Sequence, residues 1–160
     1  MKYEKLVIEK KDFLVLKQLL NIEEQQKETT VKNHILKLRE ELKDAIFNYE
    51  QSLEIKKKLL DKNDMSISLS LFNMGYCYRD LGDLDNAIKY HLEALKIRQK
   101  NNNSKYIVKS YRELGKIYDK KGDFSKAEEY YNYVLNEQYK LYGKDDFSNS
   151  VIYRDLGTLY

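Results

Sequence analysis

Residues 73–95 read NMGYCYRDLGDLDNAIKYHLEAL and hold two glycines, Gly75 and Gly82, inside an otherwise helical pattern. A glycine in a helix interior costs about 1 kcal/mol relative to alanine, so Gly75 needs a reason. Leu71, Met74, Tyr78 and Leu81 recur at three- and four-residue steps, as one face of a helix does. Gly82 stops that helix, because a left-handed terminal residue is cheap for glycine. Asp83 follows as an N-cap for a second helix, whose apolar line is Leu84, Ala87, Ile88, His91, Ala94 and Leu95. So short a connection forces the two helices to lie antiparallel and in contact. Gly75 and Ala87 are then the small residues that let them cross closely.

The same pattern returns. FNMGYCYRDLGDLDNAIKYHLEALKIRQK aligns with YRELGKIYDKKGDFSKAEEYYNYVLNEQYK, pairing Gly75 with Gly115, Tyr78 with Tyr118, Gly82 with Gly122, Asp83 with Asp123 and Ala87 with Ala127, 40 residues apart. A third copy begins at YRDLGTLY, where Gly157 follows Gly115 by 42, and Ala45 stands 42 residues before Ala87. The spacing predicts a half repeat over 45–62, full repeats over 68–101 and 108–141, and a partial repeat over 150–160.

At these residues the chain resembles tetratricopeptide repeats. One copy reads Leu71, Met74-Gly75, Tyr78, Gly82, Ala87, His91, Ala94, and the next Tyr111, Leu114-Gly115, Tyr118, Gly122, Ala127, Tyr131, Val134. The 40–42-residue period, together with KLYGKDDFSNSVIYRDLGTLY, is similar to the long-repeat subclass of kinesin light chains. The family's terminal proline is absent from both copies. The resemblance covers 45–160 and implies an all-α fold, a short α-solenoid of helix pairs.

Residues 1–44 depart from the repeat, with Lys32 and Asn33 where Leu-Gly would stand. Val31, Ile35, Leu38, Leu42, Ile46, Tyr49 and Leu53 follow helical steps, which predicts one long helix, preceded at DFLVLKQLL by a short helix or a strand. The expectation is an N-terminal helical hairpin or cap over the open end of the stack. LVIEKKDFLVLKQLLN followed by KLREELKDA also resembles the helical hairpin of Gre-type transcription factors, and this implies an alternative role as a transcription-associated or peptide-sensing regulator.

Composition narrows the rest. The 160 residues include no proline, six glycines and one cysteine, and the net charge is +3. So small a charge gives no argument for nucleic acid or a membrane surface, and a lone Cys77 excludes a cysteine zinc cluster. The N-terminus lacks the unbroken apolar run of a signal peptide, and cytoplasmic placement is expected. His91 occupies an aromatic position of the repeat and reads as a core residue, Cys77 as a buried thiol and His34 as a surface residue. Carboxylate pairs at 40–41 and 128–129 read as solvated helix faces. No catalytic, metal or cofactor site is expected, and the chain is not read as an enzyme.

The resemblance further implies that the first helix of each repeat lines a concave groove for a peptide. The groove positions are Phe72, Asn73, Tyr76 and Arg79, then Arg112, Glu113, Lys116 and Asp119 with Lys109 one turn earlier, then Arg154, Asp155 and Thr158. Lys109, Arg112 and Lys116 share one helical stripe. With Arg154 they are expected to form a positive strip beside the aromatic pair Phe72 and Tyr76, suited to an acidic peptide with an apolar anchor. Asn73 matches the asparagine that contacts peptide backbone in the long-repeat subclass. The lysine–asparagine clamp of chaperone-binding members is not matched. Val151, Tyr153, Leu156, Leu159 and Tyr160 lack the second helix of their repeat, which predicts self-association through the C-terminal helix.

Overall fold

The computed structural model describes residues 2–144 and 146–159, and for residues 2–17, 19, 20 and 148 the backbone alone. The described residues form six α-helices: α1 Lys2–Leu59, α2 Met65–Leu81, α3 Leu84–Lys100, α4 Ser104–Lys121, α5 Phe124–Tyr142 and α6 Ser150–Gly157. A short 3-10 turn, Phe147–Asn149, precedes α6, and no strand occurs among the described residues. The chain divides into two units, one ending at Glu41 and the other beginning at Leu42.

The expected N-terminal hairpin does not form. Helix α1 runs unbroken through both DFLVLKQLL and TVKNHILKLREELKDAIFNYEQSLEIKKKL. The physical reason is the absence of any breaker: the chain has no proline, and its first glycine is Gly75. Residues 23–30, EEQQKETT, which separate the two apolar stretches, contain no helix breaker. Every described side chain from 21 to 41 is exposed, Val31, Ile35 and Leu38 included.

From Leu42 onward the helices pack around buried apolar clusters. Leu53 of α1 joins Ile67, Leu71, Phe72 and Met74 of α2 and Ala94 and Ile97 of α3, with Tyr49 against its edge. Lys56 of α1 reaches the Ser70 hydroxyl of α2, Nζ to Oγ, at 2.7 Å. A second cluster unites Ala127, Tyr131, Val134 and Leu135 of α5 with Ile152 of α6.

Gly75 and Gly115 mark the closest approaches, and the partner in each case is an aromatic ring on the following helix. A Cβ on Gly75 would stand 2.7 Å from the His91 ring, and one on Gly115 2.6 Å from the Tyr131 ring. The sequence placed a small residue at each crossing; the structure adds that the large side chain of the facing helix fills the space the glycine leaves. Gly82 and Gly122 end α2 and α4 at φ 88° and 80°. The Gly82 amide donates to the Arg79 carbonyl and the Asp83 amide to the Tyr78 carbonyl, at 3.0 and 2.9 Å. Asp83 then accepts from the Asn86 amide at 3.1 Å, and Asp123 accepts from the Lys126 amide at 3.2 Å. One aspartate per repeat therefore closes one helix with its backbone and opens the next with its side chain.

Candidate peptide-binding groove

Helices α2, α4 and α6 carry the groove positions, and their charged side chains are bonded to one another. Glu113, only 4% exposed, is the centre of this arrangement. Its carboxylate accepts from Arg79 Nη1 of α2 at 2.6 Å and from Lys116 Nζ of its own helix at 2.8 Å. Tyr76 stands beside it. Burial first, then the Glu113 charge and a hydrogen bond from the phenol to that carboxylate, push the Tyr76 hydroxyl up to about 12. One helix further on, Arg112 Nε donates to Asp155 Oδ2 of α6 at 2.8 Å.

The positive strip expected from the sequence is therefore largely neutralised. Arg79 of α2 and Arg112 and Lys116 of α4 each face a carboxylate from another of the expected groove positions. Lys109 and Arg154 are different. Lys109 is exposed, its Nζ 5.4 Å from the centre of the Phe72 ring. Arg154 is 71% exposed and 3.8 Å from Asp155, a distance and exposure at which an ion pair contributes little. Asn73 is half-buried and donates to the Tyr49 hydroxyl of α1 at 3.3 Å.

Phe72 is not an exposed anchor. It is 1% exposed, with the guanidinium of Arg98 over its ring at 3.9 Å, His91 edge-on at 4.8 Å and Tyr76 edge-on at 4.9 Å. A phenylalanine roofed by a cation is a core residue, so the aromatic pair is reduced to Tyr76 on the surface side. His91 is buried as its repeat position implies, but both ring nitrogens lack hydrogen-bond partners. Burial, with Arg79 and Arg98 adding repulsion, pushes its imidazole down to about 3. Cys77 is a buried thiol pushed up by burial, then by the Asp80 charge.

Glu113→Gln is expected to lower stability by about 1–3 kcal/mol, because two cations lose their shared carboxylate in a largely buried place. Urea unfolding checks the value. A midpoint unchanged from the parent would show that Glu113 does not organise the groove floor.

Residues 64–136, which hold α2, α3, α4 and most of α5, match the family described as tetratricopeptide repeat. This segment is a tetratricopeptide-repeat array. Solved structures agree on the fold. The Podosopora anserina protein of nearly identical TPR-like repeats, described as a kinesin light chain, superposes with a TM-score of 0.65 at 22% identity, covering 74% of this chain and 57% of that one. BtubC (BKLC) from P. vanneervenii gives 0.65 at 24% identity, covering 75% of this chain and 48% of the other. The chain thus spans about half the length of these structural relatives. No curated protein matches it.

Within the tetratricopeptide array, one residue that bears on the groove escaped sequence reasoning. Arg98 of α3 is 1% exposed. A signal for it was present: position 98 continues the apolar line of His91, Ala94 and Leu95 by a helical step, so an arginine there falls on the core face.

Proposed function

We propose that this chain is a non-enzymatic scaffold whose tetratricopeptide groove binds a segment of another protein. The observation that supports this reading is the floor of the groove, where α2, α4 and α6 are tied by Arg79–Glu113 and Arg112–Asp155. Charged side chains held by their neighbours present a fixed surface, and a fixed surface costs less ordering on binding. Lys109 and Arg154 are the expected groove cations left at the surface to meet an acidic segment. Repeats of this family serve protein–protein interaction generally, which is consistent with the array. An apolar anchor on the partner, and a cytoplasmic location, belong to the same proposal; no described helix is long and apolar enough to cross a membrane. The alternative is a transcription-associated or peptide-sensing regulator; Lys2–Leu59 form one helix in place of the hairpin on which the first part of that reading drew.

A photo-crosslinking residue placed at Lys109, and separately at the exposed Glu129 of the outer helix α5, tests the groove in native lysate. Adducts with a discrete polypeptide are expected from position 109 and not from 129. Equal yields from both positions, or none from 109, would overturn the reading. Arg112 is a poor test site, because reversing its charge would set it against Asp155.

We propose in addition that α6 joins two copies of the chain. Phe147 and Tyr153 are 88% and 50% exposed beside Leu156 and Leu159, which are only partly covered. Sedimentation at tens of micromolar is expected to show a dimer that Tyr153→Glu dissociates. A monomer throughout would remove this contact from the proposal.

A further inference from the structure

Each complete repeat closes on one ring. His91 fills the space beside Gly75, Tyr131 fills the space beside Gly115, and both rings are buried. On the same helices Ala87 and Ala94, and Ala127 and Val134, have no exposed surface. Residues 42–59 of α1 are the second helix of a repeat. Counting back 42 residues puts Ala45, Tyr49 and Ser52 at the positions of Ala87, His91 and Ala94. All three are only half-buried. Tyr49 does meet the helix that follows it: the ring packs on the cluster of Leu53, Ile67 and Leu71, and the hydroxyl accepts from Asn73. By comparison with His91 and Tyr131, it lacks a glycine on a preceding helix, because α1 runs unbroken through the residues that would have formed one.

The far end of the array is the converse. Helix α6 is the first helix of a repeat, with Leu156, Gly157 and Leu159 aligned to Leu114, Gly115 and Ile117. The three residues of α4 are buried. Leu156 and Leu159 are half-buried, and Gly157 is exposed. A Cβ on Gly157 would meet no atom within 4 Å, whereas one on Gly75 or Gly115 would meet a ring. No helix follows α6 among the described residues. One end therefore shows a ring without its glycine, and the other a glycine without its ring.

We infer that these two ends fit each other: α6 of one copy docks on residues 42–59 of α1 in a second copy, with the Tyr49 ring beside Gly157. The two helices then complete a repeat of the same design as α2 with α3 and α4 with α5. The inference rests on the α6 contact proposed above and names the surface that receives it. Both ends keep the small and ring-bearing residues of a repeat interior, where an end that stays in solvent is expected to be polar. Two different faces meet in this joint, so each added copy leaves one α6 and one α1 free, and association is open. It carries the row of inner helices α2, α4 and α6 on into α2 of the next copy. A pairing of α6 with α6 would instead close at two copies.

Complementation between two blocked chains tests the joint. Gly157→Leu fills the space the ring would take, and the open surroundings of Gly157 leave a single copy unharmed. Ala45→Glu sets a charge where the preceding helix would cross, and a melt at low concentration establishes that this chain folds. In sedimentation at tens of micromolar each variant alone is expected to be a single copy. Their equimolar mixture is expected to give a pair, one of each, that grows no further. The parent is expected to pass beyond the pair when its concentration is raised about tenfold. Should Ala45→Glu not fold, Gln51 takes its place. Position 51 corresponds to Tyr133, whose ring centre lies 3.8 Å from that of Tyr111, the counterpart of Tyr153. Gln51 is exposed, and Gln51→Lys is expected to restore association to the Tyr153→Glu chain. Self-pairing of the Ala45→Glu chain, a parent that stops at the pair, a mixture that stays as single copies, or no rescue by Gln51→Lys would each overturn the inference. The first two results would leave α6 as a contact between copies on a surface other than α1. A parent that never associates would remove α6 and the joint together.

Discussion

Gly115→Ala is expected to cost about 1–2 kcal/mol and to lower the melting temperature by roughly 2–8 °C. The added methyl would lie 2.6 Å from Cε1 and 2.7 Å from Cδ1 of Tyr131. That ring cannot step aside, because Tyr131 is 1% exposed and enclosed by Ala127, Val134, Leu135 and Ile152. Alanine gains about 1 kcal/mol in helix propensity over glycine, and overpacking costs about 1–3 kcal/mol; with so rigid a neighbour the second effect wins. Gly157→Ala is the internal control. No atom lies within 4 Å of a Cβ there, so that chain is expected to match or slightly exceed the parent. Removing the ring with Tyr131→Leu should make the Gly115→Ala change nearly neutral. An undiminished cost in that background would show that the ring contact is not why the glycine is needed.

Acid is expected to destabilise the array through His91 before the carboxylates titrate. Its imidazole is held near 3 in the folded chain against about 6.5 when unfolded. Between those values the unfolded chain takes up a proton that the folded chain refuses. The stabilisation is therefore complete above pH 6.5 and is lost as pH falls toward 3, at up to about 1.4 kcal/mol per pH unit. His91→Phe removes the titrating group and two unpaired ring nitrogens at once, and the Tyr131 position shows that a six-membered ring fits opposite a glycine. Urea unfolding at pH 6.5 and at pH 5 separates the two chains: the parent is expected to lose about 1–2 kcal/mol more than His91→Phe. Identical losses would show that His91 accepts a proton in the folded state without penalty.

The repeat was legible in the sequence because its marks are local. Gly75, Gly82 and Asp83 recur as Gly115, Gly122 and Asp123, and each does its work within one helix–turn–helix. The N-terminal hairpin was misread for the complementary reason. DFLVLKQLL and the apolar line that starts at Val31 stand apart in sequence and so read as two elements, yet a gap between apolar stretches does not bend a helix; only a backbone unable to continue does so. The groove lies between these cases. Helical spacing placed Arg79, Arg112 and Lys116 on the inner helices, but their partners are decided by register between helices. Arg79 finds Glu113, 34 residues on, and Arg112 finds Asp155, 43 residues on. No periodicity within one helix contains that information. Phe72 was misassigned to the surface because its cover, Arg98, comes from the following outer helix.

The double use of Asp83 and Asp123 has a consequence for how such chains change length. Each aspartate is a backbone donor to the helix behind it and a side-chain acceptor for the helix ahead. A single inserted residue at either turn would separate the two duties and leave one helix end without its closure. The interval from Gly75 to Gly82 equals that from Gly115 to Gly122, whereas the interval between successive repeats varies from 40 to 42. Insertions and deletions should therefore be tolerated around 101–103 and 143–149 and rejected at 82–83 and 122–123. An engineer lengthening this array, or grafting a loop onto it, has two usable seams and two that must stay closed.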